Sequence, residues 1–383
     1  MRIRTVTAMI HLRYSNMDSR IEEISSFLAS AREAFREDGV EVQTVRMATQ
    51  SFQSFLIGRD PDNLIDEIVE IEKKAVREGI DFISVGPSID PLYTAIIPDV
   101  LQRTSVTCMS ACVGDSSTGI SWDNLKESAK AVLRISNLTD NGIKNFNFSA
   151  LCNVPPGTPF FPASYHIGSR TIFSIGLESG GIVYRNLHGS RDVNAAVRSF
   201  SDDYWKECLK IQNRAVGLSE DHGIDFHGID TSLCPSLDDN GSIAHAISSA
   251  LGKPFSSQGT LAICSMLTTA VKNIEVKRCG YGGLMLPVLE DTGLAEGADR
   301  SEYTLSDLLS YSSVCGTGLD AVPVPGSVSE DDLSSVIMDT ASLSIKLKKP
   351  LSCRILPIPG VEEGGRTDLR SPYLLDCRVI PVN

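Results

Sequence analysis

The amino-acid sequence predicts an α/β fold of about ten strands, either closed into a barrel or laid out as an open, doubly wound sheet. Strand-like and helix-like segments alternate along most of the 383 residues, which is typical of a mostly parallel sheet. Proline- and glycine-rich stretches interrupt these segments without forming a low-complexity linker, and no repeat occurs at solenoid periods. We therefore treat residues 1–383 as a single domain.

The first third of the chain carries the clearest pattern. Apolar and alternating runs predict three strands, at residues 4–10, 40–46 and 81–87. Apolar residues at helical spacing predict two helices, at residues 19–38 and 61–78, which end at Gly39 and Gly79.

The same rhythm continues to the end of the chain. We predict strands at residues 105–113, 144–150, 171–176 and 224–230, and a C-terminal pair, 352–358 and 373–380, that closes the fold within about residues 350–383. We predict further helices at residues 122–135, 193–218, 242–251, 260–271, 305–311 and 330–347.

The composition argues against several classes of protein. A formal net charge of −13 and a pI near 5.0 argue against nucleic-acid binding, which needs a concentrated basic surface. No run of eighteen apolar residues occurs, so we expect no membrane span, and the first residues lack the apolar core of a secretory signal. The ten cysteines show no CxxC pair or zinc-ligand spacing. We therefore expect a cytoplasmic protein with reduced thiols and no metal site, and no motif identifies a cofactor.

In both α/β alternatives, function is expected at the carboxyl ends of the strands. Unusual residues follow several predicted strands at such positions, namely Cys108 to Cys112, Asn153, Glu178, Asp230, and Cys315 to Asp320.

The stretch from Ser312 to Asp320 places a cysteine and two glycines ahead of an acid. Because glycine has no Cβ, such a turn can bring the thiol of Cys315 and backbone N–H groups close to a ligand. The alternative is a tight connection in which Cys315 packs as a small apolar residue and Asp320 hydrogen-bonds the turn. Cys108 and Cys112 share one face of a strand, where they either line a cavity or pack as ordinary buried thiols.

Three other polar residues have two interpretations each. His166 lies in a loop before a strand and suits acid or base chemistry, because its pKa is near neutral. Asp230 ends a strand, where it either joins Asp225 in an oxygen-ligand site or belongs to a solvated turn. Gln258 precedes the helix at residues 260–271, whose first amides either hold a carboxylate or are simply capped.

Several stretches, in one order along the chain, carry a family resemblance: Ile3-Arg4-Thr5-Val6-Thr7, Val106-Thr107-Cys108, Asn153, Tyr165-His166, Phe226 to Leu233, and Cys315 to Asp320. In these stretches the chain resembles the uncharacterised proteins grouped as domain of unknown function 711, or uncharacterised protein family 0210. The resemblance implies a large closed barrel of about ten strands with surrounding helices, similar to the glycyl-radical-enzyme barrels of the pyruvate formate-lyase-like superfamily but without the radical machinery. It implies no established activity. Gln258 and Glu178 depart from the family pattern of histidine and a small polar residue, which leaves a shared reaction open.

Two functions fit these residues. The first is an enzyme that acts on a small carboxylate-bearing metabolite inside the barrel by non-radical lyase, isomerase or hydrolase chemistry. Its catalytic residues are Cys315 as nucleophile or proton donor, His166 as acid or base, and Asp230 and Asp320 as orienting acids; its binding residues are Cys108, Asn153, Glu178, Gln258 and Arg4. The second is a protein that binds or senses the metabolite without converting it. In either case we expect a small-molecule ligand, no nucleic acid, no membrane, and a homodimer.

Overall fold

One ten-stranded sheet forms the centre of the molecule. The computed structural model describes residues 1–55 and 61–382. The strands are β1 (Arg2–Ile10), β2 (Val42–Thr49), β3 (Phe82–Ser88), β4 (Thr107–Asp115), β5 (Gly119–Ile120), β6 (Phe148–Cys152), β7 (Ile172–Glu178), β8 (Asp225–Asp230), β9 (Gly318–Pro325) and β10 (Leu351–Ile358).

The order of strands across the sheet is β8-β7-β1-β2-β3-β4-β6-β10-β9, and β5 pairs with β4. Strands β1, β2, β3, β4 and β6 are parallel to one another. Strand β7 is antiparallel to β1, and β10 is antiparallel to β6, while β8 and β9 follow their neighbours. The carboxyl ends of the two outer pairs therefore meet the amino ends of the central strands.

Helices cover the sheet and supply much of the apolar core. They are α1 (Met17–Glu37), α2 (Phe52–Phe55), α3 (Pro61–Arg77), α4 (Pro91–Thr94), α5 (Ile97–Arg103), α6 (Trp122–Ser136), α7 (Gly180–Leu187), α8 (Val193–His222), α9 (Ile243–Leu251), α10 (Thr260–Lys272), α11 (Thr292–Asp299), α12 (Leu305–Ser312) and α13 (Glu330–Leu347). In α1, for example, Ile21, Ile24 and Leu28 are buried at helical spacing. No helix in the described ranges is long and apolar enough to cross a membrane.

Most of the predicted elements are present, with two differences. The predicted strand at residues 144–150 begins instead as a 3-10 turn, Ile143–Asn147, and pairs only from Phe148. The second member of the predicted C-terminal pair, residues 373–380, is not a strand. Its contacts include a bridge between Arg366 and Arg378, and hydrogen bonds from Leu375 N to the Leu289 carbonyl and from Ile380 N to the Pro323 carbonyl.

The two edges of the sheet, β8 and β9, do not pair with each other in the part of the chain described. The segment at residues 277–287 makes isolated parallel bridges on both sides: Arg278 with Ile229, Leu284 with Leu233, and Pro287 with Asp320. The chain thus has a mixed α/β fold whose sheet is not closed by a continuous hydrogen-bonded ladder.

Two glycines allow this connecting segment to cross the loop before β9. A Cβ on Gly283 would lie 2.3 Å from the Cα of Gly316, and a Cβ on Gly316 would lie 2.4 Å from the Cα of Gly283. Side-chain carbons do not approach backbone this closely, so only glycine fits at either position. The Gly316 amide also donates to the Leu284 carbonyl at 2.9 Å, which fixes the loop that leads into β9.

We predict that Gly316→Ala lowers the free energy of unfolding by at least about 2 kcal/mol, because the added methyl group forces two backbones apart. Urea denaturation followed by circular dichroism measures the change.

The matched control is Gly217→Ala, in the interior of α8, where a Cβ meets no atom within 4 Å. This helical substitution should raise the free energy of unfolding by up to about 1 kcal/mol. Similar effects of the two substitutions would contradict a tight crossing at Gly316.

Candidate functional site

Two adjoining cavities lie at the amino ends of the central parallel strands. The outer cavity measures about 570 Å³ and the inner cavity about 60 Å³. Five residues line both: Arg4, Arg46, Phe146, Phe161 and Arg354. The sequence prediction placed functional residues at the opposite edge, the carboxyl ends of these strands.

A buried carboxylate shared by two arginines joins the walls of the inner cavity. Glu290 accepts from Arg4 Nη2 at 2.8 Å and from Arg354 Nη2 at 2.7 Å. Arg354 also donates through Nε to Asp320 Oδ1 at 2.6 Å, and its guanidinium lies 4.6 Å from the centroid of the Phe146 ring. Burial disfavours the charge on Arg354, but Asp320 and Glu290 outweigh burial and raise its pKa. Arg354 is therefore a fixed cation.

Glu178 holds a second set of donors in the wall of the outer cavity. It ends β7 and lies opposite Arg2 of the antiparallel β1. Its carboxylate accepts from Arg2 Nε at 2.7 Å, from Gln43 Nε2 at 2.6 Å and from Arg4 Nη1 at 3.5 Å. Protein donors thus surround Glu178, and the charge of Arg4 is balanced by Glu178 and Glu290 together.

Arg46 of β2 differs from the other cavity arginines. Its Nε donates to Thr44 Oγ1 at 2.9 Å, but its terminal nitrogens have no hydrogen-bond or ion-pair partner among residues 1–55 and 61–382. The guanidinium lies between two aromatic rings, 5.3 Å from the centroid of Phe82 and 5.2 Å from that of Phe161. Burial, and then repulsion from Arg4, lower the pKa of Arg46 to about 10. Arg46 is therefore charged at neutral pH, and no carboxylate of the described residues forms an ion pair with it.

Two thiols line the cavities. Cys108 borders the outer cavity and accepts from Asn147 Nδ2 at 3.6 Å, while Cys234 borders the inner cavity. Burial raises the pKa of Cys108 to about 11, despite the opposing effect of Arg46 and Arg354. Burial also raises the pKa of Cys234 to about 12. Both are thus neutral thiols at pH 7.

The stretch from Cys315 to Asp320 divides between core and cavity. Cys315 is buried in the hydrophobic core, and its carbonyl accepts from Lys349 Nζ. Thr317 and Asp320 line the inner cavity. Burial raises the pKa of Asp320. The polar side chains of this stretch that reach the cavity are thus Thr317 and Asp320 rather than Cys315.

Asp230 is a fully buried carboxylate that holds a loop in place. It accepts from the amides of Ser232, Tyr281 and Gly282 at 2.8 to 3.0 Å, and from Ser232 Oγ at 2.6 Å. Burial raises the pKa of Asp230, although these hydrogen bonds act to lower it. Asp230 lies outside both cavities but positions Tyr281, which lines the inner one.

The other residues selected from the sequence lie elsewhere. The His166 amide donates to the Thr49 carbonyl at the carboxyl end of β2, and burial lowers the pKa of its imidazole. Asn153 connects two parts of the fold: its Oδ1 accepts from the Ser116 amide at 2.8 Å, and its Nδ2 donates to Ser344 Oγ at 2.9 Å. Gln258 is exposed ahead of α10. Within the described ranges, no three His, Cys, Asp or Glu residues are grouped so as to hold a metal ion.

The structure therefore brings together Arg4, Cys108, Glu178 and Asp320 from the residues selected by sequence, and separates Cys315, His166, Asp230, Asn153 and Gln258 from them. Sequence reasoning missed Arg46, Glu290, Thr317 and Arg354. One signal was available: Arg354 is a lone charge inside the otherwise apolar strand β10, and such a charge needs a partner.

Comparison with known proteins gives one consistent result. The family model described as uncharacterised ACR (DUF711) matches residues 1–370. The UPF0210 protein of Pyrobaculum islandicum is 30% identical over 361 residues, which cover 88% of this chain and 78% of the relative. The UPF0210 protein of Corynebacterium glutamicum is 26% identical over 402 residues, which cover 99% of this chain and 84% of the relative. The UPF0210 protein of Lactobacillus delbrueckii subsp. bulgaricus is 26% identical over 350 residues, which cover 87% of this chain and 78% of the relative. The chain therefore belongs to the DUF711 family, whose members carry the name UPF0210.

Proposed function

We propose that the protein binds a small carboxylate-bearing metabolite in the two cavities, with Arg46 as the anchor of the carboxylate. The observation that carries this proposal is the guanidinium of Arg46, whose terminal nitrogens find no partner in the described part of the chain. Arg4 and Arg354, in contrast, are paired with carboxylates. A charge in such a setting is costly without a counter-ion, and a carboxylate matches the planar fork of arginine.

The walls of the outer cavity suit a small organic acid. The guanidinium of Arg46 lies near the rings of Phe82 and Phe161, and all three residues line the outer cavity. Tyr373, in the C-terminal tail, lies edge-on to Phe82 at 6.0 Å between ring centroids and lines the same cavity. A volume of about 570 Å³ agrees with the size of ordinary small-molecule sites.

Asp320 is our candidate for acid or base chemistry on the bound metabolite. It lines the inner cavity, where burial raises the pKa of its carboxyl group, and a carboxyl group beside a bound ligand can serve as an acid or base. We propose a non-radical lyase, isomerase or hydrolase reaction. The catalytic roles predicted for Cys315, His166 and Asp230 gain no support from the cavities and stay predictions.

The alternative function is binding or sensing of the metabolite without conversion. Incubation of the protein with a pool of small organic acids, followed by mass spectrometry, separates the two. Consumption of one acid supports an enzyme, whereas retention of an unchanged acid supports a binding protein.

We also propose that the sheet curls into a barrel around the cavities, as in the pyruvate formate-lyase-like superfamily. Support comes from Glu290, which contacts arginines of β1 and β10, strands that are five places apart in the sheet. A cytoplasmic homodimer is a further proposal. Light scattering that shows a monomer at every concentration would exclude the dimer.

We predict that Arg46→Met weakens the binding of short carboxylates about 10- to 150-fold. This range corresponds to the loss of charge-assisted hydrogen bonds worth about 1.5–3 kcal/mol. Isothermal titration calorimetry with acetate, butyrate and succinate measures the dissociation constants. In the unmodified protein, binding should fall above about pH 10, as Arg46 loses its proton.

The matched control is Arg198→Met, which removes an exposed arginine on α8 far from both cavities. It should leave the dissociation constants unchanged. If both substitutions weakened carboxylate binding equally, the binding would depend on the net charge of the protein and not on Arg46.

We predict that Cys108 reacts faster with iodoacetate than with iodoacetamide, because Arg46 attracts the carboxylate of the former reagent into the outer cavity. The rate should rise about tenfold per pH unit up to about pH 11, since the thiolate is the nucleophile. Mass spectrometry of peptides after short labelling measures both rates.

Cys112 is the internal control, because it lies on the same strand but lines neither cavity. It should show no preference for iodoacetate, and Arg46→Met should abolish the preference at Cys108. If Cys108 of the unmodified protein reacted faster with neutral iodoacetamide, this would contradict the role of Arg46 as the carboxylate anchor.

A further inference from the structure

Thr317 lines the inner cavity and carries a buried hydroxyl group that has no partner among the described residues. Thr317 is only 2% exposed, and its Oγ1 atom makes no hydrogen bond in the described part of the protein. A buried, unsatisfied hydroxyl costs stability. Because Thr317 lines the inner cavity, a polar group of a ligand there would satisfy its hydroxyl.

The backbone holds Thr317 in this position. Its carbonyl accepts from the Ser352 amide at 2.8 Å and from Ser352 Oγ at 2.9 Å, where β9 begins to pair with β10. On the other side, Gly316 is fixed by its crossing with Gly283. Thr317 is therefore a preformed hydrogen-bonding group rather than part of a mobile loop.

The charges around Thr317 favour a neutral polar group over a second carboxylate. Glu290 and Asp320 line the same cavity as Arg4 and Arg354, and because these two arginines are already paired with carboxylates, a second carboxylate would gain little there. The negative charges of Glu290 and Asp320 are already balanced by the same arginines, so an ammonium group gains little. Tyr281 also lines this cavity, and burial raises the pKa of its phenol, so that the phenol is neutral at pH 7.

The size of the inner cavity limits this polar group. A water molecule needs roughly 10–15 Å³ of such space. The inner cavity of about 60 Å³ therefore admits a few heavy atoms. Arg46 lines this cavity as well as the outer one, so a carboxylate on Arg46 and a polar group beside Thr317 belong to one short molecule.

We propose that the ligand is a short monocarboxylic acid with a hydroxyl or carbonyl group, whose carboxylate binds Arg46 and whose second oxygen bonds to Thr317. This inference rests on the proposed function, because it takes Arg46 as the carboxylate anchor. It adds the chemical class of the substrate, a hydroxy or oxo acid, and a residue that selects this class.

The test compares acids of one length by calorimetry on the full chain: butyrate, its three hydroxy derivatives, 2-oxobutyrate, succinate and 4-aminobutyrate. At least one hydroxy or oxo acid should bind about tenfold tighter than butyrate, since Thr317 gains its missing hydrogen bond. If a hydroxybutyrate binds most tightly, the group beside Thr317 is a hydroxyl; if 2-oxobutyrate binds most tightly, it is a carbonyl.

Two variants show whether Thr317 causes the preference. Thr317→Val keeps the shape and removes a hydroxyl that has no partner in the described chain, so the variant should fold normally. Its dissociation constants for butyrate and for the preferred acid should agree within about twofold. Thr317→Ser keeps the hydroxyl and should retain the preference. This pattern supports the inference.

Other outcomes overturn it in distinguishable ways. If no oxygenated acid is preferred, if the preference survives in Thr317→Val, or if succinate or 4-aminobutyrate binds most tightly, the assignment of Thr317 fails. In those cases, Arg46-dependent binding of butyrate would leave the proposed function standing. If no acid binds, or if Arg46→Met changes nothing, both proposals fail.

Discussion

The carboxylate of Glu290 is the contact on which the arrangement of the cavities depends. It pairs with Arg4 of β1 and Arg354 of β10, and so ties together strands that are distant in the sheet. Buried ion pairs gain little net stability because of desolvation, but removing one partner typically costs about 3–5 kcal/mol. Glu290 therefore acts mainly as a geometric constraint. It balances Arg4 and Arg354, and leaves Arg46 as a cavity cation whose terminal nitrogens have no partner in the described chain.

Local sequence patterns predicted most helices and central strands, because periodicity and capping are local properties. The helix α13, for example, begins at a capping box of Ser329 and Asp332 and occupies the predicted residues. Strand direction is not local. Strands β7 and β10 run antiparallel to their central neighbours, which brings Glu178 to the amino end of β1 and Arg354 toward the amino end of β6. The rule that parallel sheets carry their sites at the carboxyl ends of the strands does not take these antiparallel strands into account. It therefore pointed to the carboxyl ends of the central strands, whereas the cavities lie at their amino ends.

The candidate site was foreseen in part for the same reason. Arg4, Cys108, Glu178 and Asp320 were selected and line the cavities. Cys315 was chosen for its intrinsic reactivity, but its orientation depends on the crossing of Gly316 with Gly283, thirty-three residues earlier in the chain. Whether a side chain is buried, and which distant residue it contacts, cannot be derived from the spacing of residues in the sequence. Arg46 shows the limit most clearly, because its terminal nitrogens have no partner among the described residues, and the pairing of a side chain cannot be read from the sequence.

A crystal structure of the protein with a bound hydroxybutyrate tests the central claim most directly. We expect electron density for the acid across the two cavities, with its carboxylate oxygens within about 3 Å of the terminal nitrogens of Arg46. Its hydroxyl should lie at hydrogen-bonding distance from Thr317 Oγ1. Density at another site, with the Arg46 side chain paired instead to Glu178 or Asp320, would contradict the account.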